Sequence, residues 1–301
     1  LAFERAIETF GVHSLFDVQI HGRLTSVNRR GRIEASMAVR NVVPAAFLGP
    51  RFEAAHCAVL FSATLSPAQF YVDMLGLPST TTHLDVPSPF DPAQLQVRLV
   101  EAVSTRYRDR DRSVVPISSL IGREYEYCPG NYLVFASSFD YLDRIVADFT
   151  ARHPDIPCWS QRRQMSEAQR TAFLQRFVPA GRGIGFAVLG GVFAEGIDLV
   201  GTRLIGAFIA TLGLPQVNEI NEEMRRRIEA LFGRGYDYAY LFPGLRKVVQ
   251  AAGRVIRTET DRGSVWLIDD RYARREVREL LPAWWRIDAG RAPNHPIETA
   301  E

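Results

Sequence analysis

The sequence predicts an α/β fold, a parallel sheet covered by helices on both faces. Four segments are apolar almost throughout instead of alternating: NYLVFASSF (131–139), GIGFAVLGG (183–191), RLIGAFIATL (203–212) and SVWLIDD (264–270). Strands buried on both faces read this way, and parallel sheets are built from such strands. Helical stretches with their own start signals separate these segments, the alternation expected of βαβ units. Of the 301 residues, 47% are hydrophobic, which suits a sizeable core in one large or two ordinary domains.

Taken in order, LAFERAIETF (1–10) reads as a short helix. FDVQIHGRL (16–24) and RIEASMAV (32–39), joined by the polar turn TSVNRRG (25–31), fit a hairpin. The apolar run 57–61 reads as a strand leading directly into Ser62-Ala63-Thr64-Leu65. Asp91-Pro92 carries a cap signal and predicts a helix running to Tyr107. A helix over 140–151 follows the strand at 131–139, and IPCWSQ (156–161) reads as a short strand. Ser166 caps EAQRTAFLQRF (167–177). Helices are expected over 219–231, 245–257 and 272–281, and 91–288 is expected to form one domain. Residues 67–90 then serve as a connector and 289–301 as a tail.

Several function classes recede on composition. The formal net charge of +2 does not announce a nucleic-acid binder. Lys247 is the only lysine among 36 Lys and Arg residues, a bias that codon usage in a GC-rich genome explains. Anion contacts therefore fall mostly to the planar guanidinium fork of arginine. Cys57, Cys128 and Cys158 are scattered and include no CxxC pair, which argues against disulfides, zinc or an iron–sulfur cluster and suggests buried, reduced thiols. The longest apolar run, 204–215, is too short to span a bilayer.

Within the helix expected over 245–257, Gln250, Arg254 and Arg257 fall on one narrow stripe, with Val248, Val249, Ala252, Val255 and Ile256 opposite. Gly253 lies beside the stripe, where a missing side chain lets another body approach. Alone, such a stripe is an ordinary solvated helix face. Gly190-Gly191 follow an apolar strand and set backbone amides at the sheet's carboxyl edge, where open α/β sheets bind ligands. GRGIG (181–185) lacks the following helix that a dinucleotide fingerprint needs.

The landmarks LFSATLSP (60–67), YLVFASSFDYL (132–142), AVLGGVFAEGIDLVG (187–201), QAAGRVIRTETDRG (250–263) and VWLIDDR (265–271) stand in a telling order. Together they resemble the C-terminal half of XPD/DinG-type, or Rad3-related, superfamily-two DNA helicases from motif III through motif VI. The resemblance covers roughly residues 40 to 285. It implies a second RecA-like motor domain, with ATP in a cleft against a first domain that holds the phosphates and Mg²⁺ by Walker motifs. Gln250, Arg254 and Arg257 match the motif VI pattern Q-x-x-G-R-x-x-R, whose arginines reach the γ-phosphate. Gly191, Glu195, Gly196 and Asp198, with Gly253, match the nucleotide-facing surroundings; Asp198 is expected to engage nucleotide or order an arginine finger, and Glu195 to link that site to DNA. Ser137-Ser138-Phe139 resembles motif IV, a DNA phosphate contact at a strand's end. Arg203, Gln161 and Arg162 are further candidates to line a single-stranded DNA path. Trp159 is a base-stacking candidate, although a Trp beside a strand is more often core. Ser62, Ala63 and Thr64 match motif III, which couples nucleotide state to DNA grip.

The sequence also departs from the family's pattern. It holds no G-x-x-x-x-G-K-S/T loop, no DEAH-type sequence and no four-cysteine iron–sulfur set; Asp269-Asp270 follow a strand in the wrong place for Walker B. The chain is therefore expected to be inactive towards ATP alone and to depend on a Walker-bearing half of the same protein. Residues 1–66 are expected to be a remnant of the arch and first motor domain, and the Leu at position 1 favours a fragment. The leading expectation is the C-terminal motor half of a 5′→3′ DNA helicase, cytoplasmic and nucleoid-associated in a bacterium, with a role in DNA repair. The alternative is a non-catalytic module for nucleic-acid or protein binding derived from such a domain. An unrelated Rossmann-like enzyme has no substrate site in this sequence.

Overall fold

The structure, a computed structural model, describes residues 4, 7–8, 10–21, 34–194 and 196–288, the side chains of Ile20, His21 and Glu34 excepted. Most of the helix expected over 1–10, the turn at 25–31, Glu195 and the tail expected at 289–301 lie outside them. Among the described residues the first elements are β1 (Ser14–His21), β2 (Glu34–Asn41), α1 (Ala45–Ala54) and α2 (Ala68–Leu75). It continues through β3 (Leu95–Val100), α3 (Arg110–Tyr127), β4 (Asn131–Ala136), α4 (Phe139–Arg152), β5 (Cys158–Ser160) and α5 (Glu167–Gln175). β6 (Gly183–Val188), β7 (Gly206–Ala210), α6 (Glu219–Phe232), α7 (Phe242–Ala252), β8 (Gly263–Ile268), α8 (Arg275–Arg278) and β9 (Arg286–Asp288) complete it.

Two compact units result, one of residues 1–84 with 215–243 and the other of 85–214 with 244–301. The division differs from the contiguous 91–288 of the sequence reading, because 215–243 groups with the first unit. In that unit β1 and β2 pair antiparallel from Ser14↔Asn41 to His21↔Glu34, as the hairpin pattern suggested. Phe70 meets the rings of Tyr238 and Phe242 edge-on at 5.0 and 5.7 Å. A π-helical turn, Asp237–Leu241, leads into α7. Residues 57–61 are not a strand: they run unpaired, with Val59 and Phe61 76% and 89% exposed. A strand exists only through its ladder, and no described neighbour offers this segment one. Cys57 in it is exposed too, against the expectation of buried thiols.

The second unit is a seven-stranded, wholly parallel sheet in the order β5-β6-β4-β7-β8-β3-β9. The central strands β4, β7 and β8 are buried along their whole length, which is why they read as unbroken apolar runs. The outermost strands β5 and β9 have only three residues each, which leaves little edge for foreign pairing. One face packs Tyr132, Val134, Phe186, Phe208 and Trp266 against Ile117 and Ile121 of α3 and Leu142, Ile145 and Phe149 of α4. Phe208 and Trp266 stack at 4.3 Å between centroids.

Three element expectations fail here. Asp91 does cap, accepting from Ala93 N at 2.8 Å while Gln94 accepts from Asp91 N at 2.9 Å, but the turn stops at Gln94 and 95–100 is β3. LQVRLV alternates with period two and buries Leu95, Val97 and Leu99, and that pattern overrides the cap signal. The helix expected over 245–257 ends at Ala252. The helix expected over 272–281 is instead a short turn, Asp270–Ala273, and the four residues of α8. Among the described residues no helix is long and apolar enough to cross a membrane.

Candidate functional site

α7 buries Leu245, Val248, Ala251 and Ala252, and Gln250 lies partly exposed on its outer side. Because the helix stops at Ala252, the Gln250/Arg254/Arg257 stripe is not a helix face. The chain tightens, with Arg254 N bonded to Ala251 O at 3.2 Å and Val255 N to Ala252 O at 3.1 Å, and then leaves the helix. Val255 and Ile256 anchor this stretch in the core. Gly253 is exposed, and a methyl group there would meet only carbonyls of its own helix, at 3.3 and 3.6 Å.

Three ties join this segment to the loop that follows β6. Arg254 donates through Nε to Ala194 O at 3.2 Å and through Nη1 to Ile197 O at 2.9 Å. Arg257 Nε meets Asp198 Oδ1 at 3.0 Å, with both side chains substantially exposed. Buried Asp261 accepts from the amides of Arg257 and Thr258 at 2.7 and 2.8 Å, and from Gly201 N at 3.1 Å. Gln94 closes the arrangement from beneath, its amide donating to the carbonyls of Thr258, Glu259 and Asp261 at 3.2, 2.9 and 2.8 Å. Gly196, at φ +72°, has open space around it. The structure thus brings Arg254, Arg257 and Asp198 together with Gly196 nearby in the chain. Asp261 and Gln94 were not found by sequence reasoning, which has no signal for a side chain that braces a loop's backbone.

A second group gathers where β4 and β6 end. Ser138 caps α4, accepting from Tyr141 N at 3.3 Å, and Arg163 covers the Phe139 ring at 4.8 Å. Ser137 and Ser138 accept from Arg110 of α3 at 2.9 and 3.5 Å, an arginine the sequence reading missed. Leu189 N bonds Ala136 O at 2.9 Å, so the Gly190-Gly191 turn lies beside these serines. Gly190 sits at φ +77°, where a methyl group would come within 3.2 Å of Lys247 Cδ. A methyl group on Gly191 would stand 3.4 Å from the Gln161 amide. Gln161 is buried and braces the strand ends, its N donating to Phe186 O at 2.8 Å and its Oε1 accepting from Val188 N at 2.9 Å.

The remaining candidates scatter. Arg162 is exposed, and Arg203 spends its Nε on Phe177 O at 2.8 Å. Trp159 packs edge-on against Phe177 at 4.8 Å and Phe173 at 6.1 Å, with Arg176 over its ring at 5.0 Å. With Arg162 and Met165 it lines an open groove of about 330 Å³. It is half-buried there. Ser62, Ala63 and Thr64 belong to the other compact unit; there Thr64 N donates to Ser62 Oγ at 3.3 Å and Thr64 O accepts from Tyr71 at 2.6 Å. Asp269 is fully buried and takes Arg271 in a two-point pair at 2.6 and 2.9 Å, together with both donors of Thr105. Burial resists its ionisation, but the hydrogen bonds and charge of Arg271, with Thr105, outweigh it and hold the carboxyl below its ordinary value. Asp270 pairs with Arg106, so both acids serve the fold.

Comparison with known proteins places this chain in a helicase family. A family model described as Helicase C-terminal domain matches residues 121–288. The chain is 25% identical over 283 residues to ATP-dependent DNA helicase chl-1 of Caenorhabditis elegans, covering 83% of this chain and 32% of that protein. It is 28% identical over 270 residues to the XPD helicase subunit of general transcription and DNA repair factor IIH from Arabidopsis thaliana, covering 83% of this chain and 34% of that protein. The chain thus spans about a third of the length of these curated relatives. A solved XPD helicase superposes with a TM-score of 0.67 at 19% identity, over 85% of this chain and 48% of that one. The shared fold is RecA-like, as the motif order implied.

Proposed function

Because the chain belongs to the helicase C-terminal domain family, as the C-terminal half of an XPD/Rad3-type superfamily-two helicase, we propose that it supplies the trans-acting side of an ATPase site in a DNA helicase. One observation carries this reading: the loop after β6 and the segment after α7 are tied so that Arg257 stands exposed beside Asp198 while Arg254 fixes the loop's backbone. A guanidinium held at the surface by one exposed carboxylate is cheap to redirect, because such pairs are worth about 0–1 kcal/mol.

On this reading ATP lies between this half and a Walker-bearing half of the same protein. Arg257 orients towards the γ-phosphate, and Arg254 holds the loop that presents Asp198. The chemistry a bound nucleotide triphosphate supplies is phosphoryl transfer to water, with negative charge that guanidinium groups offset. The donors present fit that polyanion. On the same reading Mg²⁺ is held mainly by the Walker-bearing half. Single-stranded DNA crosses the carboxyl ends of β4 and β6, past Ser137, Ser138 and Gly190, and is tracked 5′→3′. The test compares the intact protein with this chain alone, using single-stranded DNA and ATP. The intact protein hydrolyses ATP and loses that activity with Arg257→Ala, whereas the isolated chain is inert; DNA-stimulated hydrolysis by the isolated chain refutes the reading.

A further inference from the structure

Among the described residues, Arg110 is a half-buried cation without a counter-ion. Its guanidinium lies over the rings of Tyr107 and Tyr141, 5.2 Å from each centroid. It donates only to hydroxyls, those of Ser137 at 2.9 Å and Ser138 at 3.5 Å, and its Nε is buried with no partner among the described residues. The acids lining the same pocket of about 150 Å³ are engaged elsewhere: Asp111 with Arg144, and Asp140 with Arg163 at 3.0 Å. Asp109, next in the chain, pairs with Arg108 at 3.6 Å and accepts from Ser104 at 2.8 Å. Arginine cannot shed its charge to relieve burial, and two neutral hydroxyls replace little of its hydration. Such a group is held ready for an anion.

Two neighbours say which anion. Ser138 caps the fourteen-residue α4 at the carboxyl end of β4, so helix amides, serine hydroxyls and a guanidinium fork converge there, the donor set that suits a phosphate. Tyr107, whose ring lies against Arg110, is 84% exposed, an aromatic left in water at the rim of the site. A free phosphate has no use for it; a nucleotide strand does, because every base has a π face to stack. We propose that Arg110 and Tyr107 clamp one nucleotide step of single-stranded DNA. Arg110, with Ser137 and Ser138, holds a phosphodiester, and Tyr107 stacks the adjoining base. The clamp rests on the reading that this edge carries the DNA strand, and it adds two residues that no helicase motif of the sequence contains.

The intact protein is titrated with oligothymidine at several salt concentrations, and again with oligothymidines carrying one neutral methylphosphonate at successive linkages. Arg110→Gln weakens binding roughly tenfold, as losing a charged hydrogen bond does, and lowers the salt slope by about 0.7. Arg110→Lys keeps the slope and loses affinity. In the wild type one linkage is sensitive to methylphosphonate, and in Arg110→Gln that sensitivity disappears. Tyr107→Ala weakens binding at least about fivefold with the salt slope unchanged. Its exposure makes it tolerable to the fold, and the wild-type linkage scan needs no variant, so the clamp stays testable if Arg110→Gln unfolds. Wild-type binding with no sensitive linkage, or undiminished by Tyr107→Ala, overturns the clamp and leaves the DNA path standing. Failure of the wild-type protein to bind oligothymidine at all overturns the path and the clamp with it.

Discussion

Arg254 and Arg257 occupy equivalent places in a sequence motif, yet the structure assigns them different mechanical duties, and their truncation should separate the two. Arg254→Ala removes two hydrogen bonds from a charged donor to the carbonyls of Ala194 and Ile197, residues that are 1% and 5% exposed. Such bonds are worth roughly 1.5–3 kcal/mol each. Water can reach part of this loop, since Gly196 and Asp198 are exposed, so the lower half of the range applies to each bond and the loss is about 3–4.5 kcal/mol. For a unit of this size each kcal/mol moves the midpoint by roughly 2–4 °C, which gives roughly 6–18 °C in all. Arg257→Ala breaks one exposed ion pair, worth about 0–1 kcal/mol, and should move the midpoint by less than about 4 °C. The assay is thermal unfolding followed by circular dichroism, with hydrogen exchange at amides 194–200 to localise the effect. In the intact protein both variants lose ATP hydrolysis, Arg257→Ala by roughly 10³–10⁵-fold as for an arginine finger. Equal midpoint shifts for the two variants, or an unshifted Arg254→Ala, refute the division of labour.

Gly190→Ala places an L side chain at φ +77° and costs about 1–2 kcal/mol in urea unfolding; adding Lys247→Ala relieves the crowding but not the backbone penalty. Asp269→Asn breaks a buried pair with Arg271 and costs about 3–5 kcal/mol by the same measurement. Since the folded state holds Asp269 below its ordinary value of 3.8, its contribution is complete above that value and is lost as pH falls through the lower, folded one. Acid unfolding of Asp269→Asn should accordingly show a shallower pH dependence than that of the wild type. A thiol reagent should label Cys57 before Cys128 and Cys158, because Cys57 alone of the three is exposed; simultaneous labelling contradicts the unpaired path of 57–61.

What the sequence disclosed was whatever burial on two faces imprints on side-chain type. β4, β6, β7 and β8 were legible because each is apolar without alternation, and α4 and α5 because Ser138 and Ser166 announce them. β3 was misread because Asp91-Pro92 is an equally good start for a single turn, and only the period of LQVRLV distinguishes the two outcomes. The stretches that resemble motifs IV, V and VI were picked out by their order along the chain. Their supports were not: Gln94 reaches carbonyls more than 160 residues away, and Arg110 reaches Ser137 across two elements. Long-range bonds to backbone leave no periodic trace in composition.

The early end of α7 shows how such a bond changes the meaning of a motif. On a continuous helix, Gln250, Arg254 and Arg257 would point the same way and the two arginines would be interchangeable as cations. With the helix closed at Ala252 and Val255 and Ile256 sunk into the core, the two arginines emerge from backbone of different shape. Arg254 turns back onto carbonyls of the loop after β6, and Arg257 lies beyond the helix, where the Asp261 carboxylate accepts from its backbone amide. Redirecting Arg254 would strip two carbonyls of their donor, whereas redirecting Arg257 costs only a screened surface pair. On the proposed function, the cleft therefore closes over ATP by drawing Arg257 away from Asp198 while Arg254 keeps the loop in place. The motif's spacing then specifies one arginine that moves and one that holds still the surface it moves from.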